Sequence, residues 1–175
     1  MSVSESWGTT PDERALDFPC DAALDQIDDR LFRGITINAA PEVVFRWLCQ
    51  LRAAPYSYDW IDNGGRQSPQ ELIPGLERLE IGQDVMTMFT LTGFTLDRQL
   101  TIRLKPSRSA SSVFGDIAVS YLIVPQVDGG CRLLVKLVVQ YPRTLKGRLM
   151  RRFLPWGDLI MMRRQLINLK RLAEQ

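Results

Sequence analysis

The stretch from Arg33 to Leu51, RGITINAAPEVVFRWLCQL, contains the change of hydrophobic period that decides how the chain folds. Apolar residues alternate with other residues over 31–38, which predicts a strand interrupted at Arg33. Pro41 suits the first turn of a helix, and after it apolar residues recur at spacings of three and four, as in a helix with one buried face. Pro55 ends this pattern. The sequence therefore predicts a strand followed directly by a buried helix.

The region after this helix contains turns first and strands afterwards. Residues 56–82 are rich in glycine and proline, and we expect a short second helix and one short strand there. Alternation with a period of two then predicts four antiparallel strands, at 85–92, 96–105, 117–124 and 131–141. The sequence Asp128-Gly129-Gly130 suits a tight hairpin between the last two strands.

The chain ends in helical sequence. Residues 144–153 have a helical pattern, and Pro155 predicts a break or a kink before the helix resumes at 156–173. The second part carries one apolar stripe, formed by Leu159, Met162, Leu166, Leu169 and Ala173. Its bases flank that stripe on one side, at Arg163, Arg164, Lys170 and Arg171.

The composition excludes several classes of site. The 175 residues include no histidine, so the chain cannot form a Ser-His-Asp triad, a Cys-His pair or a zinc site that uses histidine. Cys20, Cys49 and Cys131 are too far apart for a C-x-x-C motif, and we expect all three to be reduced, with Cys49 and Cys131 buried and without a nucleophilic role. No glycine-rich phosphate loop is present. We therefore expect no metal and no cofactor.

Charge is distributed unevenly along a chain of net charge +2. Residues 1–30 contain eight acidic and two basic residues, whereas residues 143–175 contain nine basic and two acidic residues. We expect an acidic arm at 1–28, loosely ordered or laid over the domain, and a single domain at 29–175. The polar N-terminus and the absence of a long apolar run predict a cytoplasmic protein.

The order of these elements resembles the START-like (SRPBCC) superfamily, in its polyketide cyclase/dehydrase and lipid-transport group. The resemblance rests on residues 33–51, on YSYDWIDNGGRQSP at 56–69 and on LEIGQDV at 79–85. It implies an α+β helix-grip fold, in which a curved antiparallel sheet of six to seven strands wraps around a long C-terminal helix, with two short helices after the first strand. The superfamily has no common catalytic motif to transfer, and its iron-dependent oxygenases are excluded because this chain lacks histidine.

The resemblance also implies a cavity between sheet and helix, for which the sequence offers candidate ligand-binding residues. Arg98 has the same parity as Leu100 and Ile102, so it is predicted to face inward, where it needs either an acidic partner or a bound anion; Arg33 raises the same question with less force. The other candidates are aromatic, acidic or sulfur-containing side chains, which plain core packing explains equally well: Tyr56, Tyr58, Asp59, Trp60, Met88, Phe89, Tyr121 and Trp156.

Three functions remain open from the sequence. We favour a binding or carrier protein for a hydrophobic small molecule that is lipid-, polyketide- or isoprenoid-like, which predicts a cavity of at least about 300 Å³. The first alternative is a cyclase or dehydratase without metal or nucleotide cofactor, in which Arg98 and tyrosine phenols stabilise an enolate. The second alternative is a protein-interaction module with a filled core. Nucleic acid is not expected as a partner, peripheral membrane contact through the basic C-terminal flank is a minor alternative, and a homodimer stays open.

Overall fold

One seven-stranded sheet and a long C-terminal helix make up most of the computed structural model, which describes residues 2–106 and 114–175. The strands are β1 (Ser6–Trp7), β2 (Asp29–Ile37), β3 (Asp84–Val85), β4 (Phe89–Thr95), β5 (Gln99–Leu104), β6 (Asp116–Pro125) and β7 (Cys131–Gln140). The helices are α1 (Pro11–Arg14), α2 (Pro41–Cys49), α3 (Asp59–Asp62) and α4 (Leu145–Ala173), with short 3-10 turns at Pro19–Ala22 and Gln50–Arg52. The predicted α+β class, strand number and pair of early short helices are confirmed.

The sheet has the strand order β1-β2-β7-β6-β5-β4-β3. Its neighbours are antiparallel except β1 and β2, which are parallel. Leu133, Val135 and Leu137 of β7 belong to the main core beneath α4, whereas Leu134 and Val138 belong to a second apolar cluster on the other face. Both faces of the central strands are therefore covered.

Residues of the acidic arm pack over this second face of the sheet. Phe18, Cys20 and Leu24 are buried against the outer cluster of the sheet. The arm is also tied by charge, because Glu13 Oε1 lies 2.7 Å from Arg132 Nε and Asp21 pairs with Lys136. Apolar residues interspersed among the acids give the arm something to bury, which its net charge alone does not reveal.

Helix α4 runs through Pro155 without the break that the sequence predicted. Proline removes one amide donor from a helix, but the surrounding turns still pair and the ring of Pro155 is buried. At its start, the Thr144 side chain accepts a hydrogen bond from the amide of Gly147. The predicted apolar stripe lies on the face that packs on the sheet, where Leu166 and Leu169 are almost fully buried.

Two predicted strands have different boundaries in the structure. The segment predicted as one strand at 85–92 is a tight β3–β4 hairpin, because Met86 and Thr87 adopt left-handed backbone angles with φ of 47° and 60°. The segment predicted at 96–105 begins only at Gln99, and Asp97, with φ of 57°, lies in the turn that precedes it. Neither turn has the glycine that usually indicates such angles.

Candidate functional site

A cavity of about 160 Å³ lies between the sheet and α4. It is smaller than the 300 Å³ expected from the sequence, because the side chains of the two layers fill most of the space between them. Its walls come from the centre of the sheet, the inner face of α4 and the two segments that precede β3 and β4: Pro55, Ser57, Met86, Phe89, Val119, Tyr121, Leu137, Asp158, Met161, Met162 and Gln165.

A chain of hydrogen bonds crosses one wall of the cavity. The Tyr121 hydroxyl donates to Gln165 Oε1 at 2.8 Å, and Gln165 Nε2 donates to the carbonyl of Pro55 at 2.7 Å. Both side chains are buried, with exposed fractions of 0% and 4%. The network holds α4, β6 and the segment after α2 together and presents polar atoms in a largely apolar surface.

An ion pair lies beside this network. Arg33 Nη2 of β2 is 2.7 Å from Asp158 Oδ2 of α4, and the two side chains are 1% and 8% exposed. Arg33 also donates to the carbonyls of Phe32, Ser4 and Pro155, so it connects the sheet, the arm and the helix. Asp158 lines the cavity. It therefore places a carboxyl group within reach of any molecule that occupies the cavity.

Burial governs the protonation of these groups. Burial raises the pKa of the Asp158 carboxyl, and the neighbouring Arg33 guanidinium opposes part of that rise. Burial likewise raises the pKa of the Tyr121 hydroxyl far above its ordinary value, and the charge of Asp158 adds to the effect. Tyr121 is therefore a hydrogen-bond donor at neutral pH, and Asp158 is the group of this site that can accept a proton.

The structure brings two of the predicted ligand-binding residues, Phe89 and Tyr121, to this cavity. Tyr56 and Asp59 line a separate polar crevice of about 190 Å³, between the segment after α2 and the outer side of α4. Burial raises the pKa of Tyr56 to about 12, and Asp59 accepts hydrogen bonds from both the amide and the hydroxyl of Ser68. The guanidinium carbon of Arg164 lies over the Tyr58 ring, 5.9 Å from the ring centre.

The prediction that Arg98 faces inward is wrong. Arg98 is exposed and belongs to the turn between β4 and β5, where its amide donates to the carbonyl of Thr95. The parity argument assumed a strand that continued back to Leu96, which is itself 64% exposed. The version of the enzyme hypothesis in which Arg98 stabilises an enolate inside the cavity therefore fails.

Three further candidates also point away from the cavity. Trp60 on α3, Met88 in the β3–β4 turn and Trp156 on α4 are 76%, 48% and 55% exposed. Trp60 is the second residue of a helix only four residues long, and Met88 follows two residues with left-handed angles. Trp156 lies on the side of α4 opposite Asp158 and Gln165. The position of these residues in the sequence, near the expected mouth of the cavity, therefore did not predict where their side chains point.

Sequence reasoning missed Asp158 and Gln165 as site residues. They are seven positions apart, so they lie on the same face of a helix, and that face is the apolar one. Asp158 is also the only acidic residue between Leu145 and Ala173. Two polar residues repeated at this spacing within a buried stripe were the available signal.

Other features of the described residues do not form a comparable site. A groove of about 740 Å³ lies where β5 ends and β6 begins, but residues 107–113, which connect these strands in sequence, are outside the described part of the chain, and we assign no site there. All three cysteines are buried, and burial raises the pKa of Cys49 to about 12 and of Cys131 to about 11. Within residues 2–106 and 114–175, no acidic or cysteine cluster suits a metal ion, and no helix is long and apolar enough to cross a bilayer.

We compared the sequence and the fold with those of known proteins. No protein-family model matches the sequence. No curated protein sequence matches it significantly. Among solved structures, a hypothetical protein from Helicobacter pylori superposes with a TM-score of 0.56 at 11% identity, covering 91% of this chain and 96% of its own.

Two other solved structures carry informative descriptions. An aromatase/cyclase from Streptomyces sp. R1128 superposes with a TM-score of 0.53 at 13% identity, covering 83% of this chain and 93% of its own. A START superfamily protein from Mycobacterium smegmatis superposes with a TM-score of 0.51 at 12% identity, covering 83% and 97%. The chain therefore has the START-like helix-grip fold that the sequence predicted.

Proposed function

We propose that this chain binds a small hydrophobic molecule in the cavity between the sheet and α4. One observation carries the proposal: Tyr121, Gln165 and Asp158 present polar atoms to a cavity whose other walls are mainly apolar. Such a combination is typical of sites that take an apolar body and orient it through one or two oxygens. The START-like fold supports the same location, because the ligand space of a helix grip lies between these two layers.

The size of the cavity limits the bound group. An apolar cavity of roughly 150 Å³ accommodates a molecule the size of benzene, and this cavity has about 160 Å³. A larger lipid or polyketide requires the walls to move. Met86, Met161 and Met162 supply that adaptability, because methionine is unbranched and changes rotamer at little cost.

Titration with phenol and naphthol, each an aromatic body with one hydroxyl, tests the proposal. We expect saturable binding by calorimetry, at least tenfold weakened by the cavity-filling substitution Met162→Trp. Met88→Trp is the matched control, because Met88 is exposed and outside the cavity, and it should leave affinity unchanged. Met161→Phe, a milder filling substitution, guards against a folding defect in Met162→Trp. Absence of saturable binding would favour the interaction module with a filled core. The same conclusion would follow if both filling variants bound with the affinity of the unaltered chain.

The position of Asp158 favours one second candidate, an enzyme of the cyclase or dehydratase kind. A carboxylate beside a cavity can take a proton from the carbon next to a carbonyl, and the Tyr121 hydroxyl can donate a hydrogen bond to the resulting enolate oxygen. The solved aromatase/cyclase is a fold neighbour and supports this candidate by analogy only.

Deuterium exchange at the α carbon of cyclohexanone, followed by NMR in D₂O, separates the candidates. A proton-transfer role predicts exchange faster than in buffer, lost in Asp158→Asn and partly retained in Asp158→Glu. Exchange at the buffer rate with a ligand that demonstrably binds would leave the chain as a binding protein.

A further inference from the structure

The outer face of α4 carries an apolar stripe that nothing in the described chain covers. The stripe consists of residues between 38% and 80% exposed: Leu145, Leu149, Phe153, Trp156, Ile160 and Ile167. At about 100° per residue they fall within an arc of about 80°. The helix is therefore apolar on two opposite sides, and its inner apolar side packs on the sheet.

The outer stripe is continuous from Leu145 to Ile160, beyond which Arg163 separates it from Ile167. Successive members are separated by three, four or seven positions, which keeps them in line along the axis. From Leu145 to Ile160 the stripe extends about 22 Å at a rise of about 1.5 Å per residue. Contiguous apolar surface of this extent on a globular protein usually marks an interaction site.

Basic residues border the stripe on both sides. Arg152 and Lys170 lie on one border, and Lys146 and Arg164 lie on the other, each within about 20° of the apolar arc, whereas Arg163 and Arg171 lie inside the arc, beyond Ile160. The helix contains eight basic residues and one acidic residue, Asp158, which faces inward. Lys146, Arg148 and Arg152 have no ion-pair partner among residues 2–106 and 114–175. A surface that covers this stripe must therefore be complementary in charge to these basic residues.

We propose that the outer face of α4 docks on an anionic phospholipid membrane, with its axis in the plane of the interface. Leucine, phenylalanine and tryptophan on one side, flanked by lysine and arginine, is the arrangement found in helices that lie at the headgroup boundary. The bases then contact lipid phosphates while the stripe enters the outer edge of the acyl region.

A second copy of the chain fits this surface less well. Two such helices packed along their stripes bring the borders formed by Lys146, Arg152 and Arg164 close to one another. No acid on the exposed side of α4 compensates this repulsion, since Asp158 is buried against Arg33. Charge complementarity therefore selects an anionic lipid surface.

Vesicle co-sedimentation of the full chain tests the proposal. We expect at least tenfold more protein bound to phosphatidylcholine vesicles containing about 30% phosphatidylglycerol than to pure phosphatidylcholine vesicles. Most of this binding should be lost near 1 M salt, because the Debye length is then only about 3 Å. Leu149→Ser/Phe153→Ser should reduce binding at least tenfold, and Lys146→Glu/Arg152→Glu should do the same only where the vesicles are anionic. All four positions are exposed, so folding should be preserved.

The matched control is Ile81→Ser/Val127→Ser, which removes two exposed apolar side chains elsewhere on the surface and should bind as the unaltered chain does. Absence of binding to anionic vesicles would overturn the proposal, as would binding unaffected by Leu149→Ser/Phe153→Ser. Light scattering covers the remaining case: a dimer that this double substitution makes monomeric would show that a second copy occupies the stripe, and the proposal would be wrong.

Discussion

Arg33 and Asp158 place two opposite charges where the sheet, the arm and α4 meet. Removing one partner of such a pair leaves a buried charge without compensation, which typically costs about 3–5 kcal/mol. We therefore expect Arg33→Met to lower the free energy of unfolding by about that amount in urea denaturation. The double substitution Arg33→Met/Asp158→Leu should recover most of the loss, because it leaves no unpaired charge.

The matched control is Arg30→Met on the same strand. Arg30 is half-exposed and lies 3.7 Å from Asp21, so its removal should change stability by no more than about 0.5 kcal/mol. A double variant as unstable as Arg33→Met would show that the hydrogen bonds of Arg33 to the carbonyls of Ser4 and Pro155, rather than its charge, stabilise this junction.

The two arginines also show what strand parity can predict. Arg33 lies in the middle of β2, where the strand is continuous, and it does face the interior. Arg98 was favoured over it, yet the left-handed angle of Asp97 ends the strand and turns Arg98 outward. Parity is reliable only inside a continuous strand, and turns made by methionine, threonine or aspartate leave little trace in a single sequence.

At the scale of elements, the arm meets β2 at a point that requires glycine. Gly8 has φ of 71°, and a Cβ there would lie 2.1 Å from the carbonyl oxygen of Gly34. Gly8→Ala should therefore cost about 1–2 kcal/mol from backbone conformation alone and more from displacement of the arm. Gly129→Ala is the control, because it has φ of 84° with no neighbouring atom within 4 Å. Equal losses in urea denaturation would show that the close approach to Gly34 does not matter.

The contact between Glu13 and Arg132 makes attachment of the arm sensitive to acid. The hydrogen bond from Arg132 holds the pKa of Glu13 below its ordinary value of 4.5. A lowered pKa in the folded state means that this stabilisation is present above pH 4.5 and is lost as the pH falls through the folded-state value. We expect smaller amide-exchange protection factors, taken relative to the intrinsic exchange rate at each pH, in residues 10–14 on acidification across that range. Glu13→Gln should show the smaller protection factors already at pH 7 and no further change; an unaltered acid response in Glu13→Gln would contradict this assignment.

Helix α4 was predicted correctly on one side only. The inner stripe follows from apolar spacing, and it lies where expected. The outer stripe has equally regular spacing, but the sequence analysis did not identify it and placed Trp156 among the aromatic candidates for the cavity. The bordering bases distinguish the two faces, since Lys146 and Arg152 flank the outer stripe.

For the whole molecule, the order of elements was predictable because hydrophobic period changes once from strand to helix and again at each end of the meander. The size of the cavity was not, because volume depends on how side chains such as Met161 and Leu137 interdigitate. The sequence left open whether the arm is loosely ordered or laid over the domain, since Phe18 and Leu24 lie in a segment without periodicity. The order of the elements follows from the hydrophobic pattern of the sequence, whereas the shape of the cavity follows from the packing of side chains.

The arm completes the fold by covering the outer face of the central strands. Deletion of residues 1–28 would expose Phe32, Leu134 and Val138, which are 5%, 1% and 0% exposed in the full chain. Re-exposing several such side chains should cost more than about 4 kcal/mol, since each buried aliphatic or aromatic side chain contributes about 1.5–3 kcal/mol. The truncated chain should also bind the apolar dye ANS. Full-length chains carrying Val3→Ser and Leu16→Ser, exposed positions of the arm, should match the unaltered protein in both measurements. A truncated chain with an unchanged urea midpoint would mean that the sheet is stable with one apolar face in water, which the nearly continuous burial of β6 and β7 argues against.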